Sequence, residues 1–145
     1  NTMINFFIEA NFNLKRKKHI KKLIDFMLIK ENVKIKYINF IFCDDNFLLK
    51  INNKFLDHDF YTDVISFNYS SSQIEGEIYI SISRVLDNSR TYNTDENVEL
   101  IRVIVHGVLH LCGYNDKNYG EKKSMKLKED EYINKYFNNF VPRGT

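Results

Sequence analysis

An α/β fold, with helices packed on a small mixed sheet of four strands, is what this sequence predicts. Three observations lead there. Short runs rich in β-branched and aromatic residues recur along the chain, as strands require. Between them lie longer stretches with apolar residues at i, i+3, i+4 and i+7, the spacing of one buried helix face. The whole chain holds five Gly and one Pro, too few for a linker-rich or disordered layout.

The elements follow in order. Met3 to Glu9 is an apolar, aromatic strand. Asn13 is placed to cap a helix from Leu14 to Lys30, in which Ile20, Leu23, Ile24, Met27 and Leu28 form one stripe. Lys34 to Phe42 reads as the second strand, ending next to Cys43. Asp44 or Asp45 then caps a helix with Leu48, Ile51 and Phe55 on one face. Val64–Tyr69 and Ile74–Ile82 are two further strands joined by the turn-like Ser70-Ser-Ser-Gln73. A short helix spans Ser83 to Tyr92. Thr94 or Asp95 starts a longer one, with Val98, Ile101, Val105 and Leu109 facing the core and Gly113 as its stop. The last helix runs from Gly120 to Phe137.

No repeats or internal boundaries appear, so residues 1–140 read as one domain. Val141-Pro-Arg-Gly-Thr145 reads as the remnant of an engineered protease site and is set aside. At 145 residues, a chain buries roughly 68–70% of its unfolded surface, enough for a real core. Cys43 and Cys112 make no disulfide framework, which implies a reducing, cytoplasmic compartment. No apolar run reaches the ~20 residues of a membrane span. The net charge of +2 is too small to mark a nucleic-acid binder by itself. Its distribution says more. Lys15, Arg16, Lys17, Lys18, Lys21 and Lys22 crowd the start of the first helix and are the candidate contacts for a phosphate backbone. Lys122, Lys123, Lys126 and Lys128 form a second cluster near the end.

The chemistry is concentrated in His106-Gly-Val-Leu-His110-Leu-Cys-Gly113-Tyr-Asn-Asp116. His106 and His110 are four apart on a predicted helix, so both imidazoles lie on one face and reach one ion. The chain must then leave the helix to bring a third ligand back. Gly113 permits that exit, and Asp116 offers the carboxylate. Two His and one carboxylate leave a fourth position open, as in catalytic zinc sites. Apart from Asp at the third position, the spacing is that of the metzincin metalloproteases. In H-E-x-x-H enzymes the Glu is the general base. That position is Gly107 here, which argues against a peptidase.

The other polar residues read more plainly. Cys112 points away from the His pair by helical phase and is a packing residue. Arg102 lies one turn before His106, where an ion pair outweighs a role in the cleft. Thr62, Asp63 and Ser66 read as residues that orient a loop over the cleft, and Ser66 has no His to make it a nucleophile.

The same segment resembles the YbeY family of bacterial endoribonucleases, whose hallmark is H-G-x-L-H-L-x-G-Y-D-H. The match covers His106, Gly107, Leu109, His110, Leu111, Gly113 and Tyr114. Ile51-Asn52, Phe55-Leu56 and Thr62-Asp63-Val64-Ile65-Ser66-Phe67 resemble a second family stretch, L-N-x-x-Y-R…T-D-V-L-S-F. Gly76-Glu77-Ile78 resembles a third, G-D-I. The resemblance implies one bound Zn2+ and cleavage of single-stranded RNA. It further implies maturation of small-subunit ribosomal RNA near its 3′ end, ribosome quality control, and the small ribosomal subunit as partner. Three departures stand out. Asp116 replaces the third family His and Asn115 the Asp before it. Leu56 replaces an Arg that engages RNA in the family, with Lys54 and His58 as nearby substitutes. Glu77 replaces an Asp. A ribosome-assembly or RNA-binding factor with a residual metal site is the rival reading, and a metalloprotease the third.

Overall fold

The computed structural model describes residues 3–56 and 62–141; the expectations for His58 and for residues 142–145 lie outside them. The elements run β1 (Ile4–Ile8), α1 (Lys17–Lys30), β2 (Ile35–Cys43), α2 (Asp45–Leu56), β3 (Val64–Asn68), β4 (Ile74–Ser81), α3 (Ile82–Thr91), α4 (Glu96–Leu111) and α5 (Tyr119–Lys135). A π-helical turn, Tyr136–Phe140, ends the last helix.

The four strands form one mixed sheet in the order β1-β2-β4-β3. β1 and β4 both run parallel to β2, while β3 is antiparallel to β4. The parallel connections need crossovers, which α1 and α2 supply together with β3. Alternation along β2 and β4 sends Ile38, Phe40, Phe42, Ile78 and Ile80 into the helical layer, where all five are buried. α1 meets them with Ile20, Leu23, Ile24, Met27 and Leu28, the stripe the periodicity predicts. α4 adds Ile101, Val105 and Leu109, with Val98 at the margin. Two close approaches seat α4 on the sheet. A Cβ at Gly76 would stand 2.7 Å from Leu111 Cδ1, and one at Gly107 would stand 2.8 Å from Ile78 Cγ2. Real Cβ atoms do not approach so closely, so glycine is what lets helix and strand touch.

Two sequence expectations are corrected. Asn13 does not cap α1. Arg16 stands at its start in the left-handed conformation, φ 61°, with no side-chain cap, so the helix begins at Lys17. The left-handed residue interrupts the helical path before it, and Leu14 is spent on the core instead. Phe55 does not face the core. α2 buries Leu48 and Asn52, and Phe55, 58% exposed, packs edge-on against Phe67. The last helix starts at Tyr119, where the sequence places it to within a residue. Asn118 and Glu121 form a reciprocal capping box there, which satisfies two of the free N–H groups of the first turn.

The remaining caps follow the sequence. Asp44, rather than Asp45, accepts the Phe47 N–H at 2.7 Å. Asp95, rather than Thr94, accepts from Asn97 and Val98. Among the described residues no helix is long and apolar enough to cross a membrane.

Candidate metal centre

α4 carries His106 and His110 one turn apart, and their rings meet with centroids 4.6 Å apart. The helix ends at Leu111, with Cys112 as its C-cap. Gly113 takes φ 104°, the Tyr114 N–H returns to the Leu109 carbonyl at 3.0 Å, and the Gly113 N–H returns to that of His110. This Schellman pattern turns the chain back on itself. Asp116 then arrives beside the two rings. His106 Nε2 and His110 Nε2 are 3.0 Å apart, and Asp116 Oδ2 is 3.3 Å from the first and 3.5 Å from the second. Two donor atoms held at about 2.0–2.1 Å on a tetrahedral ion lie about 3.4 Å apart. The three side chains therefore outline one face of such a coordination sphere, and they form a cluster able to hold a metal ion.

Their outer nitrogens indicate which atoms would face an ion held there. His110 Nδ1 lies 2.9 Å from the Tyr114 carbonyl oxygen. A carbonyl only accepts, so Nδ1 carries the proton. His106 Nδ1 lies 2.6 Å from Glu129 Oε2 and donates to it in the same way. Both Nε2 atoms then present lone pairs to each other and to a carboxylate oxygen. Three acceptors converging at such distances are a set that a shared cation would satisfy. Metal-binding histidines take this form, with the far nitrogen bonded to a carboxylate or a carbonyl.

Sequence reasoning missed Glu129. It is buried on α5, and its second oxygen takes Arg102 Nη1 at 2.9 Å, while Arg102 Nη2 reaches Asp130 Oδ1 at 2.9 Å. A buried carboxylate paired on both oxygens is tolerable where an unpaired one is not. Its signal was in the sequence. Met125, Tyr132, Ile133 and Tyr136 share its buried face, and a Glu within such an apolar stripe asks for a partner. Arg102 makes the expected ion pair and also lines the cleft.

Two hollows meet at His106 and Asp116. One, of about 520 Å³, runs along the edge strand β3 and is lined by Asn52, Leu56, Thr62, Ser66 and Asn68 among others. The other, of about 410 Å³, lies between α4 and α5 with Arg102, Lys122 and Lys126 on its walls. Asp63 and Val64 line both. Ser66 is no nucleophile; its hydroxyl donates to the Gly107 carbonyl at 3.1 Å and ties β3 to α4. Asp63 accepts from Asn88 Nδ2 at 3.2 Å.

Burial sets the electrostatics. It pushes the Asp63 carboxyl above its ordinary range, with the His106 charge opposing. Burial pulls the His106 imidazole down, but the hydrogen bond and charge of Glu129, with the charges of Asp116 and Asp63, outweigh it and leave the ring above its usual value. Burial raises the Cys43 and Cys112 thiols to about 12, which makes both unreactive packing residues.

The basic cluster stands apart from the cleft. Lys15, Lys17, Lys18, Lys21 and Lys22 are exposed and Arg16 is half-buried. Lys15 and Arg16 border a separate hollow with Glu96, Asn97 and Leu100, and it shares no lining residue with the two at the His pair. Leu56, 40% exposed, does reach the cleft. Lys54 sits over the Phe55 ring, its Nζ 5.4 Å from the centroid.

Comparison with known proteins gives the family of the chain. A family model described as Endoribonuclease YbeY matches residues 5–137. Proteins named Endoribonuclease YbeY are similar to most of the chain. That of Amoebophilus asiaticus is 50% identical over 133 residues, 90% of each chain. That of Karelsulcia muelleri is 48% identical over 132 residues, 90% of this chain and 94% of its own. That of Christiangramia forsetii is 47% identical over 131 residues, 90% of this chain and 92% of its own. The solution structure of TM1509 from Thermotoga maritima superposes with a TM-score of 0.70 at 27% identity, covering 99% of both chains. With its paired histidines, its Gly107 seat and its Gly113 exit in family order, this chain belongs to the endoribonuclease YbeY family.

Proposed function

We propose that this chain is a metal-dependent endoribonuclease that cuts single-stranded RNA during ribosomal RNA maturation, near the 3′ end of the small-subunit RNA. In this reading zinc is its metal, the small ribosomal subunit its partner and the cytoplasm its place of action. The observation that carries the reading is the triangle of His106 Nε2, His110 Nε2 and Asp116 Oδ2 at the junction of two open hollows. Two nitrogens and one oxygen, with one side left open, are a donor set that suits zinc.

When bound, such a metal polarises a phosphoryl oxygen and lowers the pKa of water toward ~7. The chain does the rest. Glu129 and the Tyr114 carbonyl keep the His protons on Nδ1 and both Nε2 atoms bare. Asp63 faces both hollows, and burial lets its carboxyl keep a proton at higher pH than an exposed one. It is the group best placed to carry a proton across the cleft. Lys122 and Lys126 stand on the wall of the second hollow, where the RNA backbone needs cations. The cluster from Lys15 to Lys22 lines neither hollow at the His pair. It contacts RNA flanking the cut.

A peptidase reading fails on Gly107. The position of the protease general base faces Ile78 and Ser66 on the sheet, with no room for a side chain. The test is incubation of the purified protein with labelled single-stranded RNA and with casein, each with and without chelator. RNA cleavage that chelator abolishes is the expected result. RNA binding without cleavage would favour an assembly factor with a residual metal site, a reading that apolar Leu56 in the cleft supports. Casein cleavage would favour a protease.

A further inference from the structure

His106 is anchored directly by a carboxylate, but His110 is not. Its Nδ1 donates to the main-chain carbonyl of Tyr114, in the loop that carries Asp116. A carbonyl in an exit loop is a poor anchor unless the loop is itself held. The backbone holds Tyr114 through one bond, its N–H to the Leu109 carbonyl. Its side chain provides the second hold. The Tyr114 hydroxyl donates to Glu31 Oε1 at 2.6 Å, across 83 residues of sequence.

Glu31 is built to receive it. It closes the C-terminus of α1, with its own N–H bonded to the Met27 carbonyl at 2.8 Å. Its other oxygen accepts the hydroxyl of Tyr132, a fully buried residue of α5. Lys128 Nζ stands 3.6 Å from the same oxygen. Burial opposes a charge here, yet the two tyrosine hydrogen bonds and Lys128 outweigh it and hold the carboxyl below its ordinary value. The group is therefore a fixed carboxylate, tied to two helices and pointing at a third element.

We propose that Glu31 is a positioning residue of the metal centre: by holding the Tyr114 hydroxyl, it fixes the carbonyl that orients His110 and the loop that delivers Asp116. The inference rests on the metal reading above. Each histidine then has an acidic support, Glu129 in direct contact and Glu31 one residue removed. The support for His110 spans α1, α5 and the exit loop, so it forms only when all three are packed.

The test is zinc affinity of the full chain, measured by competition with a chelator, alongside the melting temperature of the chelated protein. Partners outside the first coordination sphere are worth roughly 10–100-fold in metal affinity, and the lower end applies to a residue one step further out. Glu31→Ala and Tyr114→Phe should each weaken zinc binding by roughly tenfold. The double variant should be no weaker than the worse single one, because both break the same strut. Glu31→Gln, which keeps an oxygen to accept the hydroxyl, should recover part of the loss. Tyr114→Phe keeps the ring and its packing, so it remains informative if Glu31→Ala folds poorly. A purely structural role would lower the melting temperature and leave zinc affinity unchanged, and that result overturns the proposal. Additive losses in the double variant would overturn it too. A wild-type chain that takes up no zinc would remove the metal reading itself, whereas unchanged variants against a zinc-binding wild type would remove only the strut.

Discussion

Glu129 Oε2 lies 2.6 Å from His106 Nδ1, and the same carboxylate holds Arg102 on its other oxygen. One buried acid thus orients the His106 imidazole and neutralises an arginine on the neighbouring helix. Glu129→Gln keeps the shape and removes the charge. It should lower metal affinity by about 10–100-fold, the usual range for such partners. Chelator competition reads the change. Affinity equal to wild type would mean that Glu129 serves Arg102 alone.

Gly107 should tolerate no side chain. A Cβ there would stand 2.8 Å from Ile78 Cγ2 and 3.3 Å from the Ser66 hydroxyl that bonds the Gly107 carbonyl. Overpacking of this kind costs about 1–3 kcal/mol. Gly107→Ala should therefore lower the unfolding free energy by that amount, read from the shift in denaturant midpoint. An unchanged midpoint would show that α4 can lift from the sheet without penalty.

Leu56 lines the first hollow, at the position where the family motif carries Arg. An arginine there would add a cation to the cleft, and groups that stabilise transition-state charge are worth on the order of 10²–10³ in rate. Leu56→Arg should raise RNA cleavage toward that range and leave metal content unchanged. Equal or lower activity would show that Lys122, Lys126 or another group already meets the need.

The cluster at the start of α1 is exposed and lies away from the cleft. Its contribution should be general affinity rather than rate. Replacing Lys17, Lys18 and Lys21 with Glu should weaken binding to RNA of any sequence, since phosphate contacts carry little sequence information. The salt slope should fall by about 0.7 for each phosphate of a single strand that is no longer neutralised. An unchanged slope would make the cluster solvated surface.

What was legible in the sequence was local. The α1 stripe, the His spacing and the Gly113 exit are all set within a few residues of one another, where helical period and backbone conformation decide the outcome. The supports of the site were not legible, because they come from far along the chain. Glu129 stands 23 residues from His106, and Glu31 stands 83 from Tyr114. Only tertiary packing brings them together. Glu129 did leave a trace, as an acid within a buried stripe. Glu31 left none, since a glutamate at a helix end reads as solvated surface. Asn13 and Phe55 misled for a related reason. A good capping residue and a good apolar residue were overruled by the left-handed Arg16 and by the way α2 leans on β3 and β4.

Metal content per chain is the most direct test of the central claim, that His106, His110 and Asp116 together hold one ion. Asp116 is the decisive residue, because it stands where the family carries His. The wild-type protein, purified without chelator and dialysed, should carry one equivalent by elemental analysis. His106→Ala and Asp116→Ala should lose it under the same dialysis, and Asp116→His should keep it. An Asp116→Ala protein that retains a full equivalent would contradict the account.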